Sequence, residues 1–155
     1  MRDLWDWTVR AYANEGVQAA CLNLQDSADQ DIPLLLWAAW CARTGRPLDS
    51  ETLDAAVDLT RAWREQAIAP LRAVRRKLTT RHTDLDDAAR EAVRTQVKAA
   101  ELAAERALLQ GLADQSPSAS GAPGDLMTAL AATSRAWSPR VPRALLQTLA
   151  ERLPA

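Results

Sequence analysis

A chain of 155 residues with 48% hydrophobic content is the right size for one compact domain with its own core. Its formal charge of −1 provides no global field for nucleic acid or an anionic membrane, so any such attraction has to be local. Two cysteines and one histidine exclude a complete Cys/His zinc set within one chain.

The opening residues, Met-Arg-Asp-Leu-Trp-Asp-Trp, are charged and already amphipathic. They lack the apolar stretch and small-residue cleavage site of a signal peptide, so a cytoplasmic protein of bacterial type is expected. Asp3 caps a first helix in which Leu4, Trp5, Val9 and Tyr12 recur at helical spacing, and Asn14-Glu15-Gly16 ends it. A second helix, about Val17 to Gln25, places Val17, Ala20, Cys21 and Leu24 on one face. Both thiols fall in apolar helical stretches and read as reduced core residues.

After a polar connector, Asp26-Ser-Ala-Asp-Gln, comes the stretch around which the chain is organised, Asp31-Ile-Pro-Leu-Leu-Leu-Trp-Ala-Ala-Trp-Cys-Ala-Arg-Thr-Gly45. Asp31 is an N-cap, Pro33 suits the first turn, and Gly45 supplies the residue that ends the helix. Between them, Leu34 to Ala42 carry no polar side chain except the Cys41 thiol. A helix apolar on all faces belongs inside a bundle or a membrane, and this one has about half of the roughly 20 residues a bilayer requires. The expectation is therefore an all-α, single-domain helical bundle around a fully apolar central helix at about 32–44, without membrane insertion.

Asp49 or Ser50 caps the next element, which runs from about Glu51 toward Thr79 with Leu53, Ala56, Val57, Thr60, Trp63 and Ala67 as its inner stripe. Pro70 removes a backbone bond and clashes with the preceding turn at roughly 3 kcal/mol. Because Leu71, Val74 and Leu78 continue the stripe, a kink near Pro70 is expected rather than a break. His82-Thr83-Asp84 forms the turn, with Thr83 or Asp84 capping a long antiparallel helix at about 84–112. Leu85, Ala89, Val93, Val97, Ala100 and Ala104 mark a seam along that helix. Residues 1–112 thus make the bundle core. Residues 113–125 are a flexible Ser/Pro/Gly linker by composition, and 126–155 hold two short amphipathic helices that either dock or hang free.

Arg72, Arg75 and Arg76, with Arg64 upstream, form a basic stripe, the first three sharing one helix face. It serves either as a site for a partner or phosphate anion, RNA included, or as one half of internal charge pairing. Antiparallel register sets Arg75 and Arg76 near Asp87 and Glu91, and Arg61 and Arg64 toward Glu101 and Glu105. Glu101 and Glu105 have the spacing used by carboxylate-bridged metal bundles, but the Glu-x-x-His pairs such sites need are missing. Asp26, Asp29 and Asp31 read as caps and turn formers, not as a calcium loop. His82 has no nucleophile tied to it by spacing, so no catalytic residue, metal or cofactor is expected. Trp37 and Trp40, i and i+3 on the central helix, are either core or the wall of a groove completed by Gln25 and Asp26.

Leu4-Trp-Asp-Trp, Tyr12, Gly16 through Asp26 and Asp31 through Trp40 together resemble a family of proteins of unknown function, DUF2390. Trp63-Arg64, Pro70-Leu-Arg72, Arg75-Arg76-Lys77-Leu78 and Glu101-Leu-Ala-Ala-Glu105 look like its later signatures, so the resemblance spans about residues 3–112. It implies a small, helical, cytoplasmic proteobacterial protein with no assigned activity, and it carries over no catalytic residue.

Three functional readings follow. The first is a noncatalytic helical module for protein–protein interaction. The second is RNA or phosphate-anion binding through Arg72, Arg75 and Arg76. The third is an enzyme or small-ligand binder using Gln25, Asp26 and arginines in a bundle cleft.

Overall fold

The computed structural model describes residues 3–155; Met1 and Arg2 lie outside the described residues. Every regular element among them is helical: α1 (Leu4–Ala13), α2 (Val17–Ala28), α3 (Ile32–Arg43), α4 (Ser50–Trp63), a π-helical turn (Arg64–Ile68), α5 (Ala69–Lys77), α6 (Asp87–Asp114), α7 (Leu126–Trp137) and α8 (Arg143–Arg152). The fold is an all-α bundle. Five helices begin at an aspartate whose carboxylate accepts an early backbone N–H: Asp3, Asp31, Asp49, Asp86 and Asp125. Each such cap satisfies an orphan donor and contributes about 1 kcal/mol.

The apolar rod sits where its composition requires. In α3, Ile32 and every residue from Leu34 to Ala42 are buried. α6 and α7 pack along α3, with α1, α2 and α4 also against it. Asp31 accepts the Leu34 N–H at 3.0 Å, and Gly45 closes the helix at φ 68°.

The helical run is not broken at Pro70; a π-helical turn stands just before the proline. Proline at 70 has no N–H, and its ring would crowd the carbonyl one turn back. The chain accommodates this by widening the preceding turn, so that Ala69 N–H bonds Arg64 C=O, five residues earlier. The extra residue shifts the face that α5 presents, and π turns of this kind are often found at functional sites.

α6 begins later than the expected 84: its cap is Asp86, not Thr83 or Asp84. At 28 residues it is about 42 Å long. Its second half packs in the bundle through Ala104, Leu108, Leu109 and Leu112, whereas Arg90 is the one buried residue across 87–100. The expected seam is thus buried only at its C-terminal end; α5, which packs against α6, has no fully buried residue of its own.

The 113–125 stretch was expected to be a flexible linker. Its first two residues complete α6, and the rest is bonded to the end of α3. Ser120 N–H donates to Gly45 C=O at 3.0 Å, Gly124 N–H to Ala42 C=O at 2.8 Å, and Arg46 Nη1 to Pro117 C=O at 2.7 Å. Beyond it α7 packs on α3, and α8 on α2 and α7. Ser134 Oγ donates to Gln30 Oε1 at 2.7 Å, Trp137 Nε1 to Asp29 C=O at 2.9 Å, and Arg43 Nε to Pro154 C=O at 3.1 Å. The two C-terminal helices therefore dock, and Leu130, Leu146 and Leu149 join the common core.

Candidate functional site

The basic stripe meets carboxylates. Arg75 donates Nε to Glu101 Oε2 at 2.6 Å and Nη2 to Oε1 at 3.3 Å, while Arg72 donates Nε to Glu101 Oε1 at 2.9 Å and Nη2 to Glu105 Oε1 at 3.1 Å. Arg64, on the π turn, reaches Asp29 at 3.2 Å and Asp31 at 3.7 Å. Arg76 is exposed and forms no ion pair among the described residues, so the stripe's three arginines do not act as a unit. Four carboxylates (Asp29, Asp31, Glu101 and Glu105) face three guanidiniums (Arg64, Arg72 and Arg75), leaving one excess negative charge.

Antiparallel pairing was anticipated, but in a different register. Arg75 meets Glu101 rather than Glu91, about 15 Å further along α6 at 1.5 Å per residue. The connector from Leu78 to Asp86 does not turn tightly but lies along the first turns of α6. There Arg90 Nη1 donates to Leu78 C=O, and Arg94 Nε to Thr79 Oγ1 at 3.4 Å. Glu91 pairs with Arg90 and Arg94, and Asp87 with Arg81. Arg61, expected near Glu101 and Glu105, stacks on Trp137 of α7, 4.4 Å from the ring centroid.

A cavity of about 20 Å³, room for a water molecule, lies among Gln25, Gln30, Asp31, Arg64, Arg72 and Glu105. Burial raises the carboxyl pKa of Asp31, opposed by the Leu34 N–H and by Arg64 and Arg72. Burial also raises Glu105, and the nearby charges of Glu101 and Asp31 add to the effect against the pull of Arg72. For Glu101 burial acts upward too, but the hydrogen bonds from Arg75 and Arg72 outweigh it and hold this carboxyl below its ordinary value. The network ties α5, α6 and the start of α3 together.

The tryptophan groove does not form where the sequence placed it. Trp37 is 0% and Trp40 4% exposed, because α3 is wrapped on all sides. The Trp37 indole N–H donates to Ser116 Oγ at 2.7 Å, and Ser116 in turn donates to Leu112 C=O at 2.6 Å. Gln25 does line the small cavity, whereas Asp26 is exposed on α2 and does not.

A different groove opens between α1 and α6, walled by Trp5, Val9, Tyr12 and Leu102. Of the expected stripe Leu4, Trp5, Val9 and Tyr12, only Leu4 is fully buried, while Val9 and Tyr12 are exposed. The face of α1 that packs inward is Leu4, Trp7, Thr8 and Ala11. Nothing in the pattern separates Trp7 and Ala11 from Val9 and Tyr12, since all are apolar.

The two thiols and the histidine stand apart from the network. Burial pushes the Cys21 thiol up to about 11 and the Cys41 thiol to about 12; both are free and buried, unlike a nucleophilic thiolate. His82 is exposed in its turn, where Nδ1 accepts the Asp84 N–H at 3.2 Å. Among the described residues no group of three His, Cys, Asp or Glu side chains could hold a metal, and no helix is long and apolar enough to cross a membrane.

Searches of curated proteins and of solved structures find no match to the chain. A family model does match, over residues 3–112, which include α1 to α5, most of α6 and every member of the arginine–carboxylate network. The match covers well over half of the chain, and the chain belongs to the DUF2390 family, described as protein of unknown function.

Proposed function

We propose that this protein is a noncatalytic helical interaction module that meets a partner protein through the arm formed by α5 and the first half of α6. The observation that carries this reading is the uncovered apolar surface of that arm. Val74, Leu85 and Val93 are 44%, 48% and 49% exposed. Single exposed apolar residues are ordinary, but three on one projecting hairpin, beside a helix half with a single buried residue, suit a surface that packs against something else.

The charge pairing favours a protein partner over nucleic acid. Arg72 and Arg75 are held by Glu101 and Glu105, which leaves Arg76 as the one of the three without an ion pair. An RNA or phosphate-anion site needs several cations free to release counterions, and its affinity would fall steeply with salt. The enzyme reading is less favoured because both thiols are raised by burial and the cavity's carboxylates, Asp31 and Glu105, are held by Arg64 and Arg72. A cytoplasmic setting is part of the same proposal, supported by the free Cys21 and Cys41.

The test is affinity capture with three forms of the full chain: wild type, the Val74→Ser/Val93→Ser double variant, and Leu22→Ser as a control on α2, where Leu22 is 56% exposed. Partners retained by wild type and by Leu22→Ser should be lost with the double variant. Identical partners on all three would overturn the arm as the interface. Titration with a single-stranded polynucleotide at two salt concentrations should show no salt-sensitive binding.

A further inference from the structure

The groove between α1 and α6 is independent of the arm and has the composition of a ligand site. Its volume is about 120 Å³, comparable to cavities of about 150 Å³ that hold one benzene ring. Leu36 and Leu109 are buried and form its floor; Val9 and Leu102 are more than half exposed and form its rim. Trp5 makes one wall, with Arg106 stacked on its ring 4.7 Å from the centroid.

Two polar groups in this apolar surface are incompletely satisfied. Thr8 is 5% exposed, and its hydroxyl has no hydrogen-bond partner among the described residues. Among the described residues Glu105 is the one charged side chain lining the groove, and Arg72 bonds only its Oε1. No hydrogen bond reaches Oε2 from the described residues, and the nearest other acids, Glu101 and Asp31, add negative charge. An anion entering the groove would face that carboxylate. A neutral hydrocarbon would leave it unpaired, and a cation would complete it.

We propose that this groove binds a small organic ammonium ion with one benzene-sized apolar body, its ammonium on Glu105 and its ring between Trp5, Leu36 and Leu102. The size argues for a small molecule over a docked helix, which would need a row of anchor pockets at i, i+3, i+4 and i+7. Thr8, a residue type with two accessible helical rotamers, supplies the second polar contact once it turns toward the ligand.

The test uses the full chain, labelled for two-dimensional NMR, and phenethylamine as the probe, with phenylacetate as its counterpart of opposite charge. Phenethylamine should shift the Trp5 indole signal saturably, and phenylacetate should bind at least about tenfold more weakly, as expected for loss of one charge-assisted hydrogen bond. Glu105→Gln should weaken phenethylamine by a similar factor. Leu102→Lys, on the exposed rim and one helical turn from Glu105, should abolish binding by placing a competing ammonium beside that carboxylate. Equal response to the two probes would overturn the assignment of charge. No saturable shift at Trp5, or binding unchanged in Leu102→Lys, would overturn the site.

Discussion

Arg75 and Glu101 form a two-pronged ion pair, Nε to Oε2 at 2.6 Å and Nη2 to Oε1 at 3.3 Å, between the last turn of α5 and the middle of α6. With Arg72 on the same carboxylate, the pair turns what reads as an anion-binding stripe into an internal clamp. A bidentate guanidinium–carboxylate contact fixes orientation as well as charge. It therefore holds the arm at one angle to the bundle, on the side where the π turn has rotated α5.

Glu101→Ala should lower unfolding stability by about 2–3 kcal/mol, because it strands the part-buried Arg75 guanidinium and leaves Arg72 with Glu105 alone. Arg76→Ala, at an exposed position, should stay within about 0.5 kcal/mol. Urea denaturation of both variants measures the difference, and similar losses for the two would mean the clamp does not hold the arm.

The two glutamates should respond to pH with opposite signs. Glu101 has a lowered pKa in the folded state, so its contribution is present above the ordinary carboxylate pKa and is lost as pH falls through the folded value. Glu105 has a raised pKa, so its ionisation costs stability as pH rises from the ordinary value through the folded one. Relative to wild type, Glu101→Gln should therefore lose ground with rising pH across the carboxylate range, while Glu105→Gln gains. Denaturation series at several pH values check the two slopes.

Trp37→Ala should cost about 3–5 kcal/mol, since the ring is wholly enclosed. Ser116→Ala, which removes the acceptor for the indole N–H, should cost about 1–3 kcal/mol. A loss below about 1 kcal/mol for Trp37→Ala would contradict the burial of α3.

Gly45→Ala should be disruptive out of proportion to one methyl group. The residue sits at φ 68°, and a Cβ there would collide with the Gly121 carbonyl, a backbone atom with little freedom to move aside. Strain and crowding together should cost about 2–4 kcal/mol. Amide exchange should speed up at Ser120 and Gly124, whose N–H groups bond Gly45 and Ala42; unchanged exchange there would show the segment is held by other contacts.

The sequence by itself determined the rod and its ends. Asp31, Pro33, Gly45 and an unbroken apolar run act within a single helix, and local signals of that kind are readable without neighbours. The same holds for the interruption before Pro70, which follows from one missing N–H. Only the tertiary structure decided that Trp7 and Ala11 join Leu4 on the inward face of α1 while Val9 and Tyr12 stay at the surface, because all are apolar and burial depends on what packs against them. It also decided that a Ser/Pro/Gly stretch is tied to α3, through backbone carbonyls that no composition reveals. Finally it set the partners of Arg72 and Arg75, since a connector lying along α6 moved the register by several turns. Charge pairing between helices depends on that register, and register is a property of the assembled bundle.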